Sequence, residues 1–191
     1  MKRDIVDYMK GETKKIAFVF SCPGQEEQKS KKLVNGKTGE NLDLLIEKNE
    51  DKVLSKIFDK EEINNWKKYK HKNPKGLRYF FRITNASNFV HYKIWNGRTE
   101  AKTSEIKNVD NIDRLIGELY DIEDAIICFG KKAKEALNHI QKFKSDKLNH
   151  NVRIVYLRHL GLQSLNQIKE VSTTEERLKV VADDFIRQME N

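Results

Sequence analysis

Cysteine is nearly missing from this chain. Only Cys22 and Cys128 occur in 191 residues, which excludes a four-thiolate iron–sulfur or zinc site. Both lie in apolar, strand-like runs and are expected as buried core thiols rather than as a disulfide. Long apolar runs are missing too: no stretch approaches the roughly 20 residues that span a bilayer. Met1-Lys2-Arg3-Asp4 carries no apolar signal segment, so the expected location is the cytoplasm, with no membrane partner. There are no internal repeats and no low-complexity tract. His71, His91, His139 and His150 show no metal-ligand spacing and are expected on the surface. No cofactor and no metal are expected.

Positive charge is what the chain has in excess. Its 37 Lys and Arg residues outnumber 29 Asp and Glu residues, for a net charge of +8. A balance of this size favours a polyanionic partner, nucleic acid first; a generally lysine-rich composition is the plainer explanation of the same charge. The length suits one domain over 1–191 with a proper core, expected as a monomer.

Four apolar runs read as buried strands: Ile16 to Cys22, Tyr79 to Thr84, Ala125 to Phe129 and Val152 to Leu157. Continuous rather than alternating apolarity fits a parallel sheet covered on both faces. Helical patterns alternate with them. Glu40 to Lys48 carries Leu42, Leu45 and Ile46 on one face, and Ile112, Leu115, Ile116 and Leu119 repeat at helical spacing. Lys131 to Phe143 aligns Ala133, Ala136, Leu137 and Ile140. Thr173 and Glu176 stand at capping-box spacing before a final helix to Glu190. The pattern predicts an α/β fold, a three-layer α/β/α sandwich with a short central, mostly parallel sheet. Two segments fall outside it. A charged excursion at about 51–77 holds Trp66 to Lys72, whose mixture of aromatics and lysines reads as a solvated helix face before it reads as a single-strand binder. His91 to Thr99 reads as a hairpin turning at Asn96-Gly97.

In a doubly wound sheet, ligands bind beyond the C-terminal ends of the strands. Ser21, Cys22, Pro23, Gly24 and Gln25 follow the first strand, and Asn85, Ala86, Ser87 and Asn88 the second. Gly130 and a lysine-rich helix start follow the third, and His159, Leu160, Gly161 and Leu162 the fourth. Pro23-Gly24, with Gly36 and Gly39 downstream, reads as a pocket loop. These residues, in this order, resemble the uracil-DNA glycosylase superfamily, closest to its thermophile-type, iron–sulfur branch. The resemblance rests on Pro23, Gly24, Glu27, Gly36, Gly39, Leu42 and Asp43, then Thr84-Asn85, Phe129-Gly130-Lys131-Lys132-Ala133 and His159. It spans roughly residues 16 to 170.

The resemblance implies a glycosylase-like fold and a DNA glycosylase that hydrolyses the N-glycosidic bond of a flipped uracil or other deaminated base, with DNA as partner. His159 would donate to the departing base, and Ser21 would position water. Asn85 would read the base edge, with Pro23, Gly24 and Val34 around the base. Gly36 and Gly39 would let a phosphate approach the backbone. Leu162 and Gln163 stand where the family's loop enters the duplex. The departures are specific. Ser21 replaces the family's motif carboxylate, Val34 replaces its stacking Phe, Leu160-Gly161 replaces Pro-Ser after His159, and the cluster cysteines are absent. They give weight to a second expectation, a catalytically silent relative that binds nucleic acid or a nucleotide. A hydrolase of small nucleosides or nucleotides is a third.

Overall fold

A computed structural model describes residues 4–190. Four parallel strands form one sheet: β1 (Ile16–Phe20), β2 (Arg82–Asn85), β3 (Ala125–Phe129) and β4 (Arg153–Leu157), in the order β2-β1-β3-β4. Between β1 and β2 run α1 (Gln25–Ser30), α2 (Lys37–Lys48), α3 (Glu50–Val53) and α4 (Lys60–Lys72). Between β2 and β3 run α5 (Lys93–Asn96), α6 (Thr103–Ile106) and α7 (Val109–Leu119), and α8 (Lys131–Phe143) joins β3 to β4. The chain ends with α9 (Leu162–Leu165) and α10 (Thr174–Glu190). No helix among the described residues is long and apolar enough to cross a membrane.

Every residue of β1 and β3 is buried, because helices cover both sheet faces. Side chains alternate between the faces. Ile16, Phe18 and Phe20 join the cluster that contains α2, α4 and α10, whereas Ala17 and Val19 join the one built with α7 and α8. Small residues mark the second face, where Ala17 meets Ala133 and Ala136 of α8. The first face is aromatic: Phe18 lies 5.1 Å from Phe81 and 5.9 Å from Phe129, centroid to centroid. The expected α/β/α layering is present, and all four strands are parallel.

Several elements differ from the sequence reading. The second strand is Arg82–Asn85, since Leu77–Phe80 forms a 3-10 turn. The excursion folds largely as helix, and Trp66 is not part of a solvated face but fully buried against Phe80 and Phe81. Its neighbours Lys67 and Lys68 point to solvent, while Ile63 and Tyr69 join it, partly buried, on the core-facing side. His91–Thr99 is not a hairpin: Lys93–Asn96 is a short helix stopped by Gly97 in the left-handed region, φ 70°. A two-residue turn and a helix stop both need positive φ at this glycine, and no second strand is there to pair. His91 is not on the surface but 4% exposed, with Asn96 Nδ2 2.8 Å from its Nδ1 and Glu105 3.4 Å from its Nε2. Cys128 is buried as expected, while Cys22 is only half-buried.

Adjacent strands β1 and β3 send their following helices to opposite sheet faces, α2 to one and α8 to the other. Such a divergence opens a crevice at the strand ends. Phe20 and Phe129, the last residues of these strands, stack there at 4.8 Å with 19° between planes.

Candidate functional site

A cleft of about 940 Å³ opens over Phe20 and Phe129. Of the residues singled out from sequence, Ser21, Gly24, Val34, Asn85, His159, Leu162 and Gln163 line it. Pro23, Gly36 and Gly39 do not. Pro23 is buried behind the loop, where its carbonyl accepts the His91 N–H at 2.9 Å. Gly36 precedes α2. Gly39 packs so tightly against its own chain that a Cβ would fall 1.8 Å from the Val34 carbonyl oxygen. The close approach that Gly39 permits is therefore to backbone of this protein.

The loop after β1 is braced from below. Glu27 accepts the Gly24 N–H at 2.9 Å, and burial, outweighing these backbone bonds, pushes its carboxyl above the usual carboxylate range. Val34 carries φ 53°, a conformation that costs a β-branched residue energy and is held here by its surroundings. Among the described residues the Ser21 hydroxyl has no carboxylate partner; it lies 3.8 Å from the Cys22 sulfur. Cys22 in turn points at the Thr99 carbonyl, 3.9 Å away, and burial pushes its thiol up to about 11. A thiol so protonated at neutral pH is a poor nucleophile.

Asn85 ends β2 and is 3% exposed; its side-chain amide makes no hydrogen bond among the described residues and is not sealed off but reaches the cleft. Its backbone is fixed. Arg114 of α7 donates to the Asn85 carbonyl at 2.9 Å and pairs with Glu118 at 2.6 Å, and Glu118 accepts the Thr84 hydroxyl. Asn111 holds the next carbonyl, Ala86, at 2.7 Å.

His159 stands at the end of β4, edge-on to Phe20 at 6.1 Å. Its Nδ1 accepts the Gly161 N–H at 2.9 Å. Burial lowers its pKa below the ordinary histidine value, with Glu100 opposing. The neutral ring therefore carries its proton on Nε2, as a donor. Two glycines leave the imidazole room. A Cβ on Gly130, which sits at φ 89°, would come 3.1 Å from the His159 Cβ, and one on Gly161 would come 2.9 Å from Nδ1. Asn41 of α2 donates to the Leu160 carbonyl at 2.7 Å and ties the histidine loop to the opposite wall.

Several lining residues were missed from sequence. Phe20 and Phe129 read there as strand core. Lys131, Lys134 and Arg158 form a basic wall, of which only the lysine-rich start of α8 was legible. Lys134 lies over the Tyr156 ring at 4.9 Å, and Lys131 makes no ion pair among the described residues. Glu100, between α5 and α6, had no signal at all. No protein-family model matches the chain, and no curated protein sequence matches it.

Proposed function

We propose that this protein is a DNA glycosylase-like hydrolase that takes a flipped uracil or other deaminated base into the cleft and cleaves its N-glycosidic bond. The observation that carries the reading is the pairing of Asn85 and His159 in one cleft. An amide that reaches the cleft with its donor and acceptor unused by the described residues suits a base edge, and a neutral imidazole with its proton on Nε2 suits an oxygen that gains negative charge. In this reading the bond pair leaves with the base, whose charge His159 stabilises, while a water oxygen bonds to the sugar carbon. Glu100 is the solvent-exposed carboxylate of the cleft. It takes the water's proton and offsets the positive charge of the sugar, a task Ser21 cannot perform; Ser21 orients the water. Lys131, Lys134 and Arg158 meet backbone phosphates.

A second reading, recognition without cleavage, draws on the same cleft. Ser21 stands in place of a carboxylate, and the Glu27 carboxylate is engaged with loop backbone. One assay separates the two. Single- and double-stranded oligonucleotides bearing uracil, hypoxanthine or xanthine are incubated with the protein, and abasic sites are cleaved with alkali. Strand breaks that fall about a hundredfold or more in His159→Ala, with DNA affinity retained, are the expected outcome. Binding without breaks on every substrate would overturn hydrolysis of these bases and leave the second reading.

A further inference from the structure

The segment His91–Arg98 is built unlike an ordinary surface loop. Ile94 is 91% exposed and Trp95 45% exposed, on a four-residue helix. The Trp95 ring stacks on Tyr92 at 6.0 Å with 28° between planes. Beneath this tip the anchoring is polar and largely buried. His91 N–H donates to Pro23, Asn96 Nδ2 donates to the Val90 carbonyl at 3.1 Å, and the Tyr92 hydroxyl donates to Gln28 at 2.8 Å. Arg98 and His91 converge on Glu105. A large apolar group held in water on a rigid base is costly, so its position calls for an occupant.

The segment runs directly into the cleft wall at Thr99 and Glu100. It follows β2, at one edge of the sheet, whereas Leu162 and Gln163 follow β4, at the other edge. None of His91–Arg98 lines the cleft itself; the chain enters its wall at the next residue, Thr99. Residues His91 to Arg98 contain no acidic residue; Arg98 is engaged by Glu105, which leaves Lys93, exposed beside Trp95, as the positive charge of the tip. A flat aromatic pair beside a lysine is the arrangement that stacks nucleobases and holds their phosphates, because every base presents a π-face.

We infer that Tyr92, Ile94 and Trp95 form a stacking platform for an unpaired base flanking the nucleotide in the cleft, which makes single-stranded or locally opened nucleic acid the preferred ligand. This inference rests on the nucleic-acid reading of the cleft and gives it a strand preference.

The protein carries its own reporter. It has two tryptophans; Trp66 is fully buried, so emission from an exposed indole belongs to Trp95. The full chain is titrated with a fluorescein-labelled single-stranded oligonucleotide of about 12 nucleotides, followed by anisotropy, and with its unlabelled counterpart, followed by tryptophan emission. A blunt duplex of the same sequence is run beside both. The expected result is quenching of the exposed-indole emission by the single strand and tighter binding of single strand than of duplex. Trp95→Ala should weaken single-strand binding by about five- to a hundredfold, and Trp95→Phe should restore most of it. Unchanged affinity in Trp95→Ala with no quenching would overturn the platform while leaving the nucleic-acid reading standing. Absence of binding to either strand would overturn both. Sedimentation of the free protein is the remaining arm: a dimer abolished by Trp95→Ala would make this face a contact between copies and overturn the platform.

Discussion

His159 owes its tautomer to one backbone N–H two residues away. Because Gly161 donates to Nδ1, the proton of the neutral ring must sit on Nε2, and because burial disfavours the imidazolium, the ring stays neutral near pH 7. This has a consequence for folding. The folded pKa lies below the unfolded value of about 6.5, so between the two the unfolded chain binds more protons. The neutral histidine thus carries no penalty above pH 6.5, and stability is lost as pH falls from there through the folded pKa. Urea unfolding of the wild type should give a midpoint that drops between pH 7.5 and pH 5, and His159→Gln, which cannot titrate, should drop less. Glu27 and Asp43, whose carboxyls burial raises, titrate in both proteins and cancel in the comparison. Equal slopes in the two proteins would show that His159 does not carry the effect.

At the scale of elements, α7 does more than cover the sheet. Its apolar positions Ile112, Leu115 and Leu119 are buried, and the sequence spacing predicted them. Arg114 and Glu118 stand four apart, a spacing that on an exposed helix face makes an ion pair of small value. The fold turns them inward instead, toward the end of β2, where their side chains are only 19% and 10% exposed and brace Asn85. Removing Arg114 strands Glu118 and the Asn85 carbonyl. Arg114→Ala should therefore cost roughly 3 kcal/mol, the range for breaking one side of a buried pair, read as a shift in urea midpoint. A loss of only a few tenths of a kcal/mol would mean that solvent replaces the guanidinium and that Asn85 is held by its strand alone.

For the whole molecule, charge is unevenly useful. Many of the lysines are paired locally, as in Lys56 with Glu190 at 2.8 Å or Lys70 with Glu50 at 2.8 Å, so the net +8 rests on the cations that are not. Lys131 stands at the cleft without such a partner, at the N-terminal end of α8, where a positive charge meets the positive end of the helix dipole. An anion there would relieve the conflict. In DNA titrations at several salt concentrations, Lys131→Ala should lower the slope of log affinity against log salt by about 1. Lys67→Ala, on the exposed side of α4, should leave it unchanged. Equal slopes for both variants would place the DNA track elsewhere on the surface.

Continuous apolar runs and helical spacing were enough to determine the strand and helix alternation, because burial on both faces leaves no room for polar positions within β1 and β3; the strand order came from the structure. The order of loops around the cleft followed from the strand-end rule, which is why Ser21, Gly24, Asn85, His159 and Leu162 could be read as one group; Val34 and Gln163 were added only by the family resemblance. Only the tertiary structure decided the rest. The tautomer of His159 depends on a backbone N–H whose direction is set by the turn at Gly161. The aromatic floor depends on which strands lie side by side, and Phe20 and Phe129 are far apart in sequence. Asn96-Gly97 fits both a hairpin turn and a helix stop, and the chain takes the second because the segment packs against Pro23 and Glu105 rather than against another strand. The exposure of Trp95 and the burial of Trp66 follow the same logic: composition offers two similar aromatics among lysines, and the surrounding packing alone assigns one to the core and the other to water.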